Sequence, residues 1–80
     1  MEVEIMEAYL AVALKEIKHL KPGEKFTLQD LFKNYEWDSL DIMKHTILER
    51  MFLHAVESGE TKGVVVLQKN EKEEQVYQKE

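Results

Sequence analysis

The feature that most constrains this chain is a stop-and-restart signal in its first half, where Pro22-Gly23 is followed by Thr27 and Asp30. Proline fixes its own φ and glycine accepts the positive φ that follows, so the pair ends a helix arriving from the N-terminal side. Thr27 can accept a hydrogen bond at the start of a new helix, and the Asp30 carboxylate can reach back to the Thr27 backbone. The sequence therefore predicts two helices joined by a tight turn.

The segment before this turn is predicted to be one amphipathic helix from Glu2 to Leu20. Its apolar residues recur at intervals of three and four, which is the helical period: Val3, Met6, Leu10, Ala13, Ile17 and Leu20. At about 100° per residue, Ile5, Tyr9 and Val12 form a second stripe beside the first. Two interpretations stay open: either the domain covers this helix on two sides, or the second stripe stays uncovered and binds a partner, with Tyr9 as its anchor.

Two further helices are expected after the turn. The second begins at Thr27, and Tyr35 and Trp37 are expected to follow it in a short polar linker. The third is expected from about Leu40 to Glu57, and Ser58-Gly59 ends it. Asp38 or Ser39 is its predicted N-cap. One broad apolar face is predicted for this helix, and it consists of Leu40, Met43, Ile47, Leu48, Met51, Phe52 and Ala55. The opposite side is expected to carry Ile42, His45, Thr46, Glu49, Arg50, Leu53, His54 and Glu57.

The C-terminal third reads as a β-hairpin. Val64 to Leu67 is a β-branched run, a polar turn segment follows, and Gln75 to Gln78 forms the second strand. Lys25-Phe26 can supply a third, very short strand. The predicted fold is therefore α+β, a winged helix-turn-helix of three helices followed by a hairpin, with residues 1–80 as a single domain.

Composition limits the chemistry that this chain can perform. There is no Cys, the glycines are scattered rather than grouped in a phosphate loop, and His19, His45 and His54 have no metal-ligand spacing. We therefore expect no enzyme, no cofactor and no metal site. The acidic N-terminus and the lack of an apolar run of about 20 residues favour a cytoplasmic protein.

The charge pattern bears on nucleic-acid binding. A net charge of -5 and the acid Glu49 beside Arg50 on the third helix disfavour a recognition helix that reads duplex DNA. The local excess of positive charge, a candidate groove for single-stranded DNA, consists of Lys15, Lys18, Lys21, Lys25 and Lys33. Tyr35 or Trp37 would be its stacking surface, but the stronger interpretation places Trp37 in the core, because a small domain needs the area that one large aromatic side chain buries.

Part of the chain also resembles a known family. The matching residues are Lys21-Pro22-Gly23-Glu24-Lys25-Phe26-Thr27, Asp30-Leu31-Phe32, Tyr35-Glu36-Trp37, Leu48-Glu49-Arg50-Met51-Phe52, Val56 and Val76-Tyr77. They are similar to a family of small proteins of unassigned function from phages and cassette-type mobile elements of Gram-positive bacteria. The third helix departs from the family pattern, since Glu49 stands where the family tends to have Gly. The resemblance implies a winged-helix accessory protein of DNA transactions, in some cases encoded beside a mobile-element DNA polymerase.

Two functional hypotheses follow. The first is a non-enzymatic accessory subunit of mobile-element DNA replication that docks on a larger protein such as a DNA polymerase or primase and contacts single-stranded DNA. The alternative is a homodimeric, sequence-specific transcriptional regulator that dimerises through its first helix. The acidic third helix and the mixed charge of the hairpin disfavour the regulator, whereas the second stripe of the first helix suits either a partner or a dimer.

Overall fold

The computed structural model describes residues 2–80, with side chains from residue 4 onward, so the predicted roles of Glu2 and Val3 lie outside the described side chains. The elements in chain order are α1 (Glu2–Glu16), a 3-10 turn (Ile17–His19), β1 (Lys25–Thr27), a second 3-10 turn (Leu28–Leu31), α2 (Asn34–Asp38), α3 (Ile42–Glu57), β2 (Val64–Lys69) and β3 (Gln75–Lys79).

The three strands form one antiparallel sheet in the order β1-β3-β2. Tyr77 at the centre of β3 pairs with Phe26 on one side and with Val66 on the other. Three helices followed by this sheet form the winged-helix arrangement predicted from the sequence. The short strand expected at Lys25-Phe26 is also confirmed, with Thr27 as its third residue.

The turn at Pro22-Gly23 connects the end of α1 to the sheet. Gly23 has a φ of 88°, which is the left-handed region that favours glycine. The Gly23 N–H donates to the Lys79 carbonyl at 2.6 Å, and the Lys79 N–H donates to the Glu24 carbonyl at 2.9 Å. The Lys79 ammonium also donates to the Ile17 carbonyl at 3.2 Å, so the last residue of β3 holds the C-terminal end of the first helical segment.

The second helix differs from its prediction. The Asp30 carboxylate does accept the Thr27 N–H at 2.8 Å, as expected, but the turn that follows stops at Leu31 because Phe32 is extended, with φ -123° and ψ 155°. A new helix, α2, then begins where Glu36 accepts the Lys33 N–H at 2.9 Å. The prediction that Tyr35 and Trp37 lie in a linker was therefore wrong, because the hydrogen bond between the Lys33 N–H and the Glu36 carboxylate caps a helix that contains both residues.

The third helix also begins later than predicted. Its N-cap is Asp41, whose carboxylate accepts the Lys44 N–H at 2.8 Å, rather than Asp38 or Ser39. Asp38 ends α2 and Ser39 is the C-cap of that helix. The predicted C-terminal end is confirmed, because Ser58 is the C-cap of α3 and Gly59 has a φ of 83°.

Two groups of aromatic side chains organise the core. In the first, the Tyr77 ring stacks on Phe26 at 5.7 Å between centroids and meets Phe52 edge-on at 4.9 Å, which joins the sheet to α3. In the second, Trp37 packs against Phe32 at 5.9 Å and stacks on the His45 ring at 4.1 Å. Trp37 is only 8% exposed, so the interpretation of this residue as core is confirmed.

Candidate interaction surfaces

The buried face of α3 is narrower than predicted and is rotated around the helix axis. The buried residues are Leu48, Phe52, Ala55 and Val56. His45, which was expected on the outer side, instead stacks on Trp37, and its Nε2 lies 2.7 Å from the Trp37 carbonyl oxygen. Met43 and Ile47 were expected in the core and are exposed. Those two assignments were wrong because the face of α3 that is turned to the core carries Leu48, Phe52, Ala55 and Val56 instead.

The N-terminal half of α3 therefore presents an apolar surface, which we call the α3 patch and define as Ile42, Met43 and Ile47. Ile42 is 83% exposed and Met43 is 73% exposed. Met43 and Ile47 are four residues apart and so are neighbours on the helix surface, while Ile42 lies in the same first turn about 100° around the helix axis from Met43. Large apolar groups grouped in this way on one helix are typical of a protein contact surface.

One residue of the predicted partner stripe, Ile5, lies at the same end of the molecule as the α3 patch. The Tyr9 hydroxyl lies 3.2 Å from the Ser39 hydroxyl, which places the first half of α1 beside the α2–α3 junction. Ile5 is one helical turn before Tyr9, and Ile42 follows Ser39 by three residues. Ile5 is exposed as well, so it adds apolar surface to this end.

The other residues of that stripe, Tyr9 and Val12, lie along a groove between α1 and the segment from the second 3-10 turn to α2. This side groove is lined by Ala8, Tyr9, Val12, Glu16, Asp30, Leu31, Phe32, Lys33 and Glu36. Of the two interpretations left open for this stripe, the covered one holds for Tyr9, because its ring packs on Phe32 at 5.6 Å and the side chain is half-buried against the core. Val12 remains exposed.

The five lysines of the predicted single-stranded DNA site lie on two parts of the chain. Lys15, Lys18, Lys21 and Lys25 are exposed along the continuous segment from the end of α1 to β1. The carboxylate of Glu24 in the same segment accepts the Lys21 N–H at 3.0 Å. The fifth lysine, Lys33, lies in the side groove with three carboxylates, those of Glu16, Asp30 and Glu36. These acids oppose binding of a phosphate backbone at that position.

The two aromatic residues considered for base stacking have opposite environments. Trp37 is buried between Phe32 and His45, so its faces are not available to a base. Tyr35 is 68% exposed, and the Lys33 ammonium lies 5.8 Å from the centre of its ring. Of the proposed stacking site, the exposed Tyr35 beside Lys33 is the part that the fold retains.

A second groove lies between α3 and the hairpin. In winged-helix proteins that read DNA, the helix at the position of α3 is the recognition helix. It is lined by Thr46, Glu49, Arg50, Leu53, Lys69, Glu73, Gln75 and Tyr77. Two cations therefore face two carboxylates. Burial raises the pKa of the Tyr77 hydroxyl to about 12, and the nearby charges of Glu49 and Glu57 add to the increase. The Tyr77 phenol is thus held in its neutral form mainly because it is buried.

The described part of the chain contains no group of three His, Asp or Glu side chains that could hold a metal ion. Within the same residues, no helix is both long and apolar enough to cross a bilayer. The candidate sites are the surfaces described above.

Sequence reasoning missed the role of His45 and the exposure of Met43 and Ile47, whereas it correctly expected Ile42 on the outer side of the helix. The signal for His45 was present in its spacing, because residues 45, 48, 52 and 55 recur at intervals of three and four. The exposure of Met43 and Ile47 had no such signal, since both satisfy an amphipathic pattern. Their exposure depends on where the sheet contacts the helix.

Comparison with known proteins identifies a family but no function. No curated protein and no solved structure matches this chain. A family model described as a domain of unknown function, DUF1413, matches residues 11–79, which include everything from the middle of α1 to the end of β3. The protein therefore belongs to the DUF1413 family.

Proposed function

We propose that this protein is a non-enzymatic accessory subunit that docks on a larger protein through the α3 patch. The observation that carries the proposal is the exposure of Ile42, Met43 and Ile47 on the helix that winged-helix proteins normally present to a ligand. Contact with a protein would bury these apolar groups, whereas a DNA groove would gain little from them. Met43 adds an adaptable side chain, which suits a contact surface.

The class of partner rests on the resemblance described above. Relatives from phages and cassette-type mobile elements are in some cases encoded beside a DNA polymerase. We therefore place the protein in mobile-element DNA replication, with a polymerase or primase as the docking partner. In that complex, Tyr35 and Lys33 would provide a local contact for single-stranded DNA, and the carboxylates of the side groove would keep this contact weak.

The alternative function, a dimeric regulator that reads duplex DNA, has less support. Its reading surface would be the groove between α3 and the hairpin, where Glu49 and Glu73 accompany Arg50 and Lys69. Carboxylates at this distance repel phosphates. The regulator hypothesis therefore requires tight DNA binding by a surface on which two acidic and two basic side chains cancel in charge.

The test compares the double variant Ile42→Ser/Met43→Ser with the single variant Val12→Ser, which removes an exposed apolar group from α1 outside the α3 patch. Both variants should melt within a few degrees of the wild type, because exposed positions change stability by about 0.5 kcal/mol or less. Tagged wild type and Val12→Ser should retain a replication protein in cells that carry the native gene neighbourhood. The double variant should lose it.

The captured protein would then be purified and titrated with each variant. We expect the double variant to bind at least about 10-fold more weakly. A double variant that binds as well as the wild type would exclude the α3 patch as the docking surface. Specific binding of one duplex sequence by the isolated protein, undisturbed by the double substitution, would favour the regulator instead.

A further inference from the structure

The two edge strands of the sheet, β1 and β2, differ in length and in the backbone that they offer to another strand. β1 has three residues and follows directly on the turn at Pro22-Gly23, so it offers little backbone to another strand. β2 has six residues, and the stretch Gly63-Val64-Val65-Val66-Leu67-Gln68 contains no charge. A long, uncharged, β-branched edge is the kind of strand that pairs with another chain.

Hydrogen bonding shows which groups of β2 point to this open edge. The Glu80 N–H donates to the Gly63 carbonyl at 2.8 Å, so Gly63 and Glu80 are a hydrogen-bonded pair. In an antiparallel ladder, hydrogen-bonded pairs alternate with non-hydrogen-bonded pairs. The next pair, Val64 and Lys79, is therefore a non-hydrogen-bonded pair. The N–H and C=O of Lys79 are accordingly directed to the β1 side. By the same alternation, Val64 and Val66 direct their N–H and C=O away from β3.

We propose that two copies of this protein pair antiparallel through β2, with Val65 on the two-fold axis, to give one six-stranded sheet. In this register Val64 of each copy forms a hydrogen-bonded pair with Val66 of the other. Both residues have their outward groups available, so four hydrogen bonds form on the new edge. This dimer is independent of docking through the α3 patch, which lies on a different element.

The side chains of β2 fit a second copy of the same strand. Val66 is 38% exposed although it lies on the core face with Tyr77, because α3 does not cover the sheet edge there. In the proposed register it packs beside Val64 of the second copy. Leu67 lies opposite Gly63 of the second copy, and Gly63 has no neighbouring atom within 4 Å of where a Cβ would stand.

Register and charge also favour self-pairing. The ladder with β3 is irregular between Val66 and Lys69, which limits regular pairing to the residues before the irregularity and so selects one register. No charged residue lies within Gly63–Gln68, so like charges do not meet across the two-fold axis. The net charge of each copy is screened over about 8 to 10 Å at physiological salt.

The test uses charge at the two-fold axis, where Val65 of one copy would face Val65 of the other. Val65 lies on the outer sheet face, so Val65→Lys and Val65→Glu should both fold. Each variant alone should dimerise at least about fivefold more weakly than the wild type, because like charges directly opposite on paired strands repel. An equimolar mixture should form a heterodimer close to wild-type affinity. Sedimentation velocity measures all three.

The matched control is Val76→Lys, which places the same charge on the same sheet face but on the central strand. It should leave the dimer intact. A wild type that remains monomeric at several hundred micromolar would overturn the proposal. A dimer that survives both Val65 variants would also overturn it and would place self-association on another surface. Recovery on mixing cannot result from misfolding, so that outcome would support β2 pairing directly.

Discussion

The two halves of α3 have similar apolar content and opposite environments. In the C-terminal half, Phe52 and Ala55 are fully buried, and Phe52 is met edge-on by Tyr77 of the sheet. In the N-terminal half, Ile42 and Met43 are largely exposed, and the side chains that face inward are those of His45 and, at its end, Leu48. The helix is one continuous element, so its own propensity cannot explain the contrast. The difference arises from where the sheet and the aromatic group around Trp37 lie against it.

Under the proposed function, this contrast separates the residues that stabilise the fold from those that bind a partner. The C-terminal half contributes burial, which is the main source of folding free energy. The N-terminal half leaves comparable apolar groups in water, where they contribute little to folding and are free to bury themselves in a complex. Three predictions test this division, beginning with the largest effect.

The largest effect is expected in the buried half. Phe52→Ala should lower the free energy of unfolding by about 3 to 5 kcal/mol, because it removes a fully buried ring that contacts both Phe26 and Tyr77. Met43→Ala is the matched control in the exposed half and should change it by about 0.5 kcal/mol or less. Urea denaturation of both variants measures the difference. Equal losses would mean that the two halves do not differ as described.

A smaller effect is expected from Tyr77, which packs against the buried half. Its pKa is raised to about 12, first by burial and then by Glu49 and Glu57, above the value of about 10 for an unfolded chain. The fold therefore disfavours the ionised phenol. The stability that depends on the neutral form is fully present below pH 10 and is lost as pH rises through 12.

Denaturation of the wild type and of Tyr77→Phe at a series of alkaline pH values tests this expectation. Phenylalanine cannot ionise, so the variant should lose less stability between pH 10 and pH 12 than the wild type does. Near-ultraviolet absorbance should assign the late-ionising phenol to Tyr77 by its absence in the variant. Identical alkaline profiles would show that the Tyr77 hydroxyl is well solvated.

The smallest effect concerns the cap of the exposed half. Asp41→Ala should cost about 1 kcal/mol, because it removes the carboxylate that accepts the Lys44 N–H at the start of α3. Asp38→Ala is the matched control, since Asp38 ends α2 and is exposed, and it should cost about 0.5 kcal/mol or less. Thermal melting of both variants decides between the two positions. A larger loss for Asp38 would restore the N-cap predicted from the sequence.

Much of the fold could be predicted because its signals are local. The turn at Pro22-Gly23, the reach-back of Asp30 to Thr27 and the end of α3 at Ser58-Gly59 each depend on residues a few positions apart. The errors occurred where two local signals compete. Both Asp38 and Asp41 are suitable caps, and α2 uses its own reach-back contact from Glu36 to Lys33.

The candidate surfaces could be predicted only in part. Spacing identified Ile5, Tyr9 and Val12 as a stripe, but the fold divides it: Tyr9 packs on Phe32, while Ile5 and Val12 stay exposed. The lysines were identified by charge alone, and the fold places Lys33 among carboxylates. In both cases the sequence pattern did not show which residues, distant along the chain, pack against these side chains.

The amino-acid sequence by itself determined the order of elements, the turn between the first two helical segments and the C-terminal hairpin. Each of these depends on backbone preferences and capping groups that act within a few residues. Only the tertiary structure decided which apolar residues are buried, that His45 stacks on Trp37 and that the edge of β2 is open. The physical reason is that burial depends on the packing of elements distant in sequence, and a helix with more than one apolar stripe can turn either stripe toward the core.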